Sequence, residues 1–187
     1  MVIVNIDSSQ LVKLTRAVAH IERGVPRVLV PAINRALSSG RTTVKREIRK
    51  HYLIKPSDIP MKVRQANSTT LGGAIELRQG MMDLGKFKVS PRSRTKRRRV
   101  IRAQVKVGGG GLLPHAFNTP LAYPGPFERV GKSRLPIRKL ITIGAPIMAS
   151  QPSVGPAVNK AMGDTLAKRI DHEIKRVLAS AATSGGA

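Results

Sequence analysis

The four histidines, His20, His51, His115 and His172, are the first residues to consider for proton transfer or metal binding, and they are scattered along the chain. No two share a short motif. His172-Glu173 opens like a zinc-protease helix, in which histidines four residues apart hold the metal and the glutamate acts as base, but position 176 is Arg176. Val130-Gly131-Lys132-Ser133 imitates the end of a phosphate-binding loop, yet the first glycine of that motif would fall on Pro126. Asp171 and Glu173 are two apart, so on a helix they point to different sides and do not make a working carboxylate pair. The absence of cysteine excludes disulfides, thiolate zinc sites and thiol nucleophiles together. The expectation is a protein that is not an enzyme, with no cofactor and no metal site.

Cations are the chemistry the chain does offer. Its 187 residues hold 34 Lys plus Arg against 10 Asp plus Glu, a formal charge of +24. Self-repulsion of that size works against a compact state unless a polyanion or an acidic protein surface offsets it. Residues 84–127 contain no acid, and Lys86, Lys88, Arg92, Arg94, Lys96, Arg97, Arg98, Arg99, Arg102 and Lys106 crowd the earlier part of that window. Arg92, Arg94, Lys96, Arg97, Arg98, Arg99 and Arg102 are the candidate contacts to a DNA backbone or an acidic partner. Base reading is not expected, because there is no zinc-finger spacing and Tyr52, Phe87, Phe117, Tyr123 and Phe127 do not form a stacking platform. The four glycines at 108–111 read as a hairpin tip or subunit-contact loop, since no lysine or helix cap follows closely to complete a phosphate cradle.

Periodicity defines the elements that must carry these residues. Asp7 or Ser8 can cap a first helix, with Gln10 completing a capping box and Leu11, Leu14, Val18 and Ile21 on one face. Gly24 and Pro26 stop it. A second helix over 26–51 carries Leu29, Ile33, Leu37, Gly40, Val44 and Ile48 on one stripe and Arg35, Arg41, Lys45, Arg46, Arg49 and Lys50 on the other side. Gly40 within the stripe implies a close backbone approach. Residues 52–60 read as a turn or a single helical turn. Alternation at Ile75 and Leu77, at Phe87 and Val89, and at Ile101, Ala103, Val105 and Val107 predicts strands, the last two antiparallel and joined by the basic loop 91–99. Val158, Met162, Leu166, Ile170, Ile174 and Leu178 predict a long C-terminal helix over about 153–180 by their i+4 spacing.

The expected class is α+β: long amphipathic helices packed on one face of an antiparallel sheet, with long basic and Gly/Pro-rich loops, in a single domain over 1–182 followed by a flexible tail at 183–187. With 41% hydrophobic residues the chain has the material for a core. Its apolar runs are far shorter than the ~20 residues of a membrane span, and the first residues lack the pattern of a signal peptide, so assembly in a cytoplasm is expected.

Several segments, in order, resemble the lambda-type minor tail protein Z family of long-tailed phages. They are Val-Pro-Ala-Ile-Asn-Arg-Ala-Leu-Ser-Ser at 30–39, Val-Lys-Arg-Glu-Ile at 44–48, Ile-Lys at 54–55, and Arg64-Gln65-Ala66. The basic run before a strand and glycines (97–111), Ala116-Phe117, and Arg-Val-Gly-Lys-Ser-Arg-Leu-Pro-Ile at 129–137 leading to Ala145-Pro146-Ile147-Met148 complete the series. The resemblance implies a structural tail completion protein in the virion. It would form a homo-oligomeric ring, of six subunits, at the head-proximal end of the tail. Its partners would be other copies of itself, the tail terminator or tail tube protein, the head-tail connector proteins and the passing DNA backbone, and no membrane. Asn34, Arg35, Arg129, Lys132 and Arg134, within the matching segments, would be subunit contacts. Where the family runs on from Ala-Phe into apolar residues, this chain has Asn118, Thr119 and Pro120, and then Tyr123-Pro124-Gly125-Pro126.

Composition alone supports a rival, a free-standing basic protein of ribosomal or chromosome-coating type that binds nucleic acid nonspecifically. Charge counting does not decide for it. A ring of such subunits is on the order of 40 Å tall and encloses DNA with one phosphate per ~1.7 Å, too few to neutralise six subunits. Most of the charge would then face acidic neighbours or solvent ions.

Overall fold

Helix α1, Gly24–His51, carries both faces the periodicity defines: Leu29, Ile33, Leu37, Val44 and Ile48 are buried, while Arg35, Arg41, Arg46, Arg49 and Lys50 are exposed. It begins two residues before Pro26 and passes through Pro31. Proline lacks the N–H that would bond the carbonyl of Arg27, so one intrahelical hydrogen bond is missing at this turn. Arg49, Lys50 and His51 occupy the last turn, where the helix dipole favours cations. The computed structural model describes residues 2–3, 15–19, 21, 24–78, 80–93, 100–119 and 125–184. Of the expected first helix, residues 15–17 are helical and Val18 is buried; Asp7, Ser8, Leu11 and Leu14 lie outside the described residues.

The chain divides into two compact units, each discontinuous in sequence. Unit 1 comprises Met1–Val44, Met61–Leu77 and Pro152–Ala187, and unit 2 comprises Lys45–Pro60 and Arg78–Gln151. Most of α1 therefore belongs to unit 1 and its last two turns to unit 2.

In unit 1, α1 packs against the long helix α3, Val154–Ser184. A methyl group placed on Gly40 would lie 2.5 Å from Sδ of Met162 and 3.0 Å from Cδ1 of Ile75, so glycine permits the close approach. The Thr165 hydroxyl donates to the Ser39 hydroxyl at 3.0 Å beside this contact. Val158, Met162, Leu166 and Ile170 are buried as expected and Val154 joins them, but the buried face then continues through Glu173 and Val177, with Ile174 and Leu178 only half-buried. Each i+4 step overshoots a 3.6-residue turn by ~40°, so a strict i+4 run winds off the buried face until one i+3 step restores it. The helix continues through Ser184, past the point where the flexible tail was expected to start; residues 185–187 lie outside the described residues.

The sheet of unit 1 has order β1-β3-β2, with β1 at Val2–Ile3, β2 at Met61–Arg64 and β3 at Ala74–Leu77, all antiparallel. Alternation at 74–77 places Glu76 toward solvent, yet Glu76 is buried on this central strand. Its Oε1 lies 2.6 Å from Nε of Arg64 on β2, so a neighbouring strand supplies the counter-charge that burial demands.

Unit 2 is built of short strands. The expected pair forms: β5 (Lys88–Ser90) and β6 (Ile101–Gln104) are antiparallel with Val89 opposite Ala103, and β7 (Gly111–Leu113) folds back on β6 with Gly111 opposite Ala103. Gly110, at φ +141°, supplies a backbone conformation that L residues rarely adopt, so 108–111 is a hairpin tip. Beyond Gln104 the chain changes partner: the Leu53 N–H donates to the Val105 carbonyl and the Val107 N–H to the His51 carbonyl, both at 2.9 Å. Val107, expected on the core face, is exposed. Leu84, Val89, Ile101 and Ala103 form the local core, with Val105, Leu113, Ala116 and Leu140 packed against it.

A second sheet orders β8 (Phe117–Asn118), β9 (Pro126–Arg129) and β10 (Ile137–Lys139) as β10-β9-β8, and β4 (Met82–Asp83) pairs with β11 (Ile141–Thr142). Phe117 lies opposite Phe127, which is buried, and Asn118 opposite Pro126, so the chain pairs as antiparallel strands on either side of residues 120–124, which lie outside the described residues. Two single-turn 3-10 helices, Pro56–Asp58 and Leu84–Lys86, and a five-residue helix α2, Ala145–Ala149, complete the described part of the unit. The fold is α+β as expected, but in place of one antiparallel sheet holding both Ile75 and Ile101 the described residues form four small ones. Prolines, which cannot donate to a ladder, keep the strands at 114–137 short.

Candidate functional site

Unit 2 has only four acids, Glu47, Asp58, Asp83 and Glu128, and three are engaged by cations of the same unit. Glu47 pairs with Lys50 and Arg46, Asp83 with Lys139, and Glu128 with Arg138 across the β9–β10 ladder. The remaining Lys and Arg side chains leave a surface of nearly one sign. Lys50 donates to the Glu47 carboxylate, which holds its pKa below the usual carboxylate value against the opposing effect of burial, and Arg46 adds to the same effect.

The candidate contact residues fall into separate groups. Arg92 and Arg102 are exposed at the stem of the β5–β6 hairpin, where Ser90 is opposite Arg102. Arg94, Lys96, Arg97, Arg98 and Arg99 lie outside the described residues. Asn118 ties down the start of this segment: its amide nitrogen donates to the carbonyls of Pro91 (2.9 Å) and Ser93 (3.1 Å). Sequence reading noted Asn118 only as a departure from the family pattern.

Arg129, Lys132 and Arg134 come together as exposed side chains on the β9–β10 hairpin, closed by the Val130 N–H donating to the Pro136 carbonyl at 3.1 Å. The Arg129 guanidinium sits 5.9 Å from the centre of the Phe117 ring, a cation–π distance that fixes its direction. Arg35 is exposed on α1 in unit 1. The Asn34 side-chain oxygen accepts from the Ala66 N–H (2.8 Å) and its amide nitrogen donates to the Ala66 carbonyl (3.1 Å), so the amide bridges two segments of its own chain.

Sequence reading missed the exposed apolar residues. Among the described residues, all of the large exposed ones except Leu71 belong to unit 2, including Met81, Leu112, Val130, Leu135, Ile141 and Ile147, and Met81, Leu112 and Leu135 are each about two-thirds exposed. Several stand in or beside hairpin turns. Leucine and valine within polar, Gly/Pro-rich segments such as 108–114 and 130–136 were the available signal. Apolar side chains at such positions bury nothing within the subunit.

Among the described residues no helix is long and apolar enough to cross a membrane, and no three of His, Asp and Glu gather as a metal site. Chemically, such an arrangement can attract an anionic partner through its cations and bury its exposed apolar side chains against it. No family model, curated protein or solved structure matches the chain.

Proposed function

We propose that this chain is a structural subunit of a phage tail, the completion protein that forms a ring at the head-proximal end, meets the tail tube or terminator on one side and the head connector on the other, and lets DNA pass. The single observation that carries this reading is the coincidence, in unit 2, of exposed apolar side chains with a surface of nearly unmixed positive charge. Apolar side chains such as Leu112 and Leu135 call for burial against a protein, which a freely soluble nucleic-acid coat has no use for. The ordered resemblance from 30–39 to 145–148 names the assembly.

Deleting the reading frame from the phage that carries it should leave filled heads and complete tail tubes unjoined, and purified protein should restore joining. Normal particles from the deletion, or electron-microscope label on the purified protein anywhere but the head–tail junction, would overturn the reading.

A further inference from the structure

A cleft within unit 2 gathers cations that no acid opposes. The last turn of α1, the segment after it, and the turn leading into β5 enclose an open space of about 330 Å³. Arg49, Lys55, Lys86, Lys88 and Arg92 line it, with no acid among its described lining. None of the five forms an ion pair among the described residues. Glu47, two residues before Arg49, is already held by Lys50 and Arg46. Five like charges in a space this small repel one another, and carboxylates or phosphates seated among them relieve that repulsion.

Charge spacing does not choose between these two anions. Phosphates follow one another about every 3.4 Å along one strand of a duplex, and residues about every 3.3 Å along an extended peptide. The rest of the lining does choose. Contacts to a nucleic-acid backbone are shared between cations and neutral donors such as Ser, Thr, Asn and Gln. None of those four types stands in the described lining, whose other members are Tyr52, Leu53, Ile54 and Phe87. The Tyr52 hydroxyl already accepts a hydrogen bond from the Gln151 amide at 2.8 Å. At 2% and 3% exposure, the Tyr52 and Phe87 rings offer no open face on which a base could stack. Leu53 is only half-buried and gives the cleft a carbon floor. A sugar–phosphate chain has nothing apolar to place there, whereas a peptide whose acids alternate with leucine or valine does. An apolar centre inside a charged rim is the layout of a protein-recognition surface.

We infer that this cleft is a docking site for an extended acidic segment of a partner protein, with its carboxylates on the five cations and an apolar side chain over Leu53. The main chain already holds the lining in place. The Leu53 N–H donates to the Val105 carbonyl at 2.9 Å, the Phe87 N–H to the Leu84 carbonyl at 3.1 Å, and Lys88 lies opposite Gln104 in the β5–β6 ladder. Docking therefore costs little ordering of this chain's backbone. A second copy of the chain brings no such segment: its 10 acids are scattered among 34 Lys and Arg, and only Asp171 and Glu173 stand near each other in sequence. Peptide binding and tail joining fail separately, because the cleft side chains are distinct from the exposed apolar residues on which the tail assignment rests.

The test uses the full chain and a labelled peptide of about 12 residues, ~40 Å when extended, built from repeats of Glu-Leu-Glu-Ser, with anisotropy read at fixed ionic strength. Lys55→Gln, Lys86→Gln and Lys88→Gln together should weaken binding about tenfold and leave the unfolding midpoint nearly unchanged. The control removes the same charge from exposed positions of α3 in unit 1, as Lys160→Gln, Lys168→Gln and Lys175→Gln, and should change binding about twofold or less. Replacing each leucine of the peptide by serine, at the same charge, should weaken binding several-fold. Equal losses in the two protein variants would assign binding to net charge and overturn the site. A serine-substituted peptide that binds as tightly as its parent would leave the floor without a role and overturn the choice of occupant. A short labelled duplex that loses more affinity than the peptide in the cleft variant would make the occupant a nucleic-acid backbone. Inorganic phosphate displacing the peptide well beyond chloride at matched ionic strength would make it a small anion.

Discussion

Glu47 illustrates how a strongly basic chain uses its few acids. Its side chain is 5% exposed, with Nζ of Lys50 at 2.7 Å from one oxygen and Nε of Arg46 at 3.4 Å from the other. Glu76 and Glu173 are handled alike, each buried and each beside an arginine, Arg64 or Arg176, whose own side chain is largely exposed. The Lys50 hydrogen bond lowers the Glu47 pKa in the folded protein, so the pair's stabilisation is complete above the unfolded carboxyl value near ~4.3 and disappears as pH falls through the lower folded value. Urea unfolding should therefore find Glu47→Gln less stable than the parent at neutral pH, with the gap closing on acidification below about pH 4. A gap that stays constant into acid would show that the carboxylate's charge contributes nothing.

The buried seam of α3 makes a prediction that separates spacing from packing. By strict i+4 count Leu178 continues the apolar stripe, but Val177 is 4% exposed and Leu178 only half-buried. Val177→Ala should cost about 2 kcal/mol, and Leu178→Ala, though it removes more carbon, no more than about 1 kcal/mol. Denaturant midpoints of the two variants decide the order. A larger loss at Leu178 would place the seam where the spacing puts it. The same geometry bears on α1, whose 4-4-3-4-4 stripe contains its own i+3 correction at Gly40 and stays buried from Leu29 to Ile48.

At the scale of the whole molecule, exposed apolar side chains on short hairpins and a nearly unopposed positive surface in unit 2 are what the proposed tail subunit would present to its neighbours. Leu112→Ser, Leu135→Ser and Ile141→Ser together should leave the unfolding midpoint of the isolated chain nearly unchanged, since surface substitutions of this kind cost about 0.5 kcal/mol or less each. They should also abolish incorporation into tails, read by quantifying the protein in purified particles. Full incorporation of the triple variant would assign docking to other residues. Large destabilisation would instead show these side chains to be packed within the subunit.

Local spacing determined what lies within one element or between sequence neighbours: the extent and two faces of α1, the close approach at Gly40, the turn at Pro56–Asp58, the β5–β6 pair and the glycine tip beyond it. These follow from periods of 3.6 and 2 and from the steric habits of glycine and proline. Only the tertiary structure decided the division into two units and, among the described residues, four small sheets, the burial of Glu76 and Glu173, and the intrachain partner of Asn34. Each depends on residues brought together over long stretches of chain, Asn34 with Ala66 across 32 positions and Tyr52 with Gln151 across 99. Hydrophobic periodicity records which face of an element is buried but carries no record of what covers it, because burial is nearly indifferent to the identity of the apolar neighbour. Hydrogen bonds and ion pairs are specific to their partners, and that specificity appears only when the backbone has brought both groups within reach.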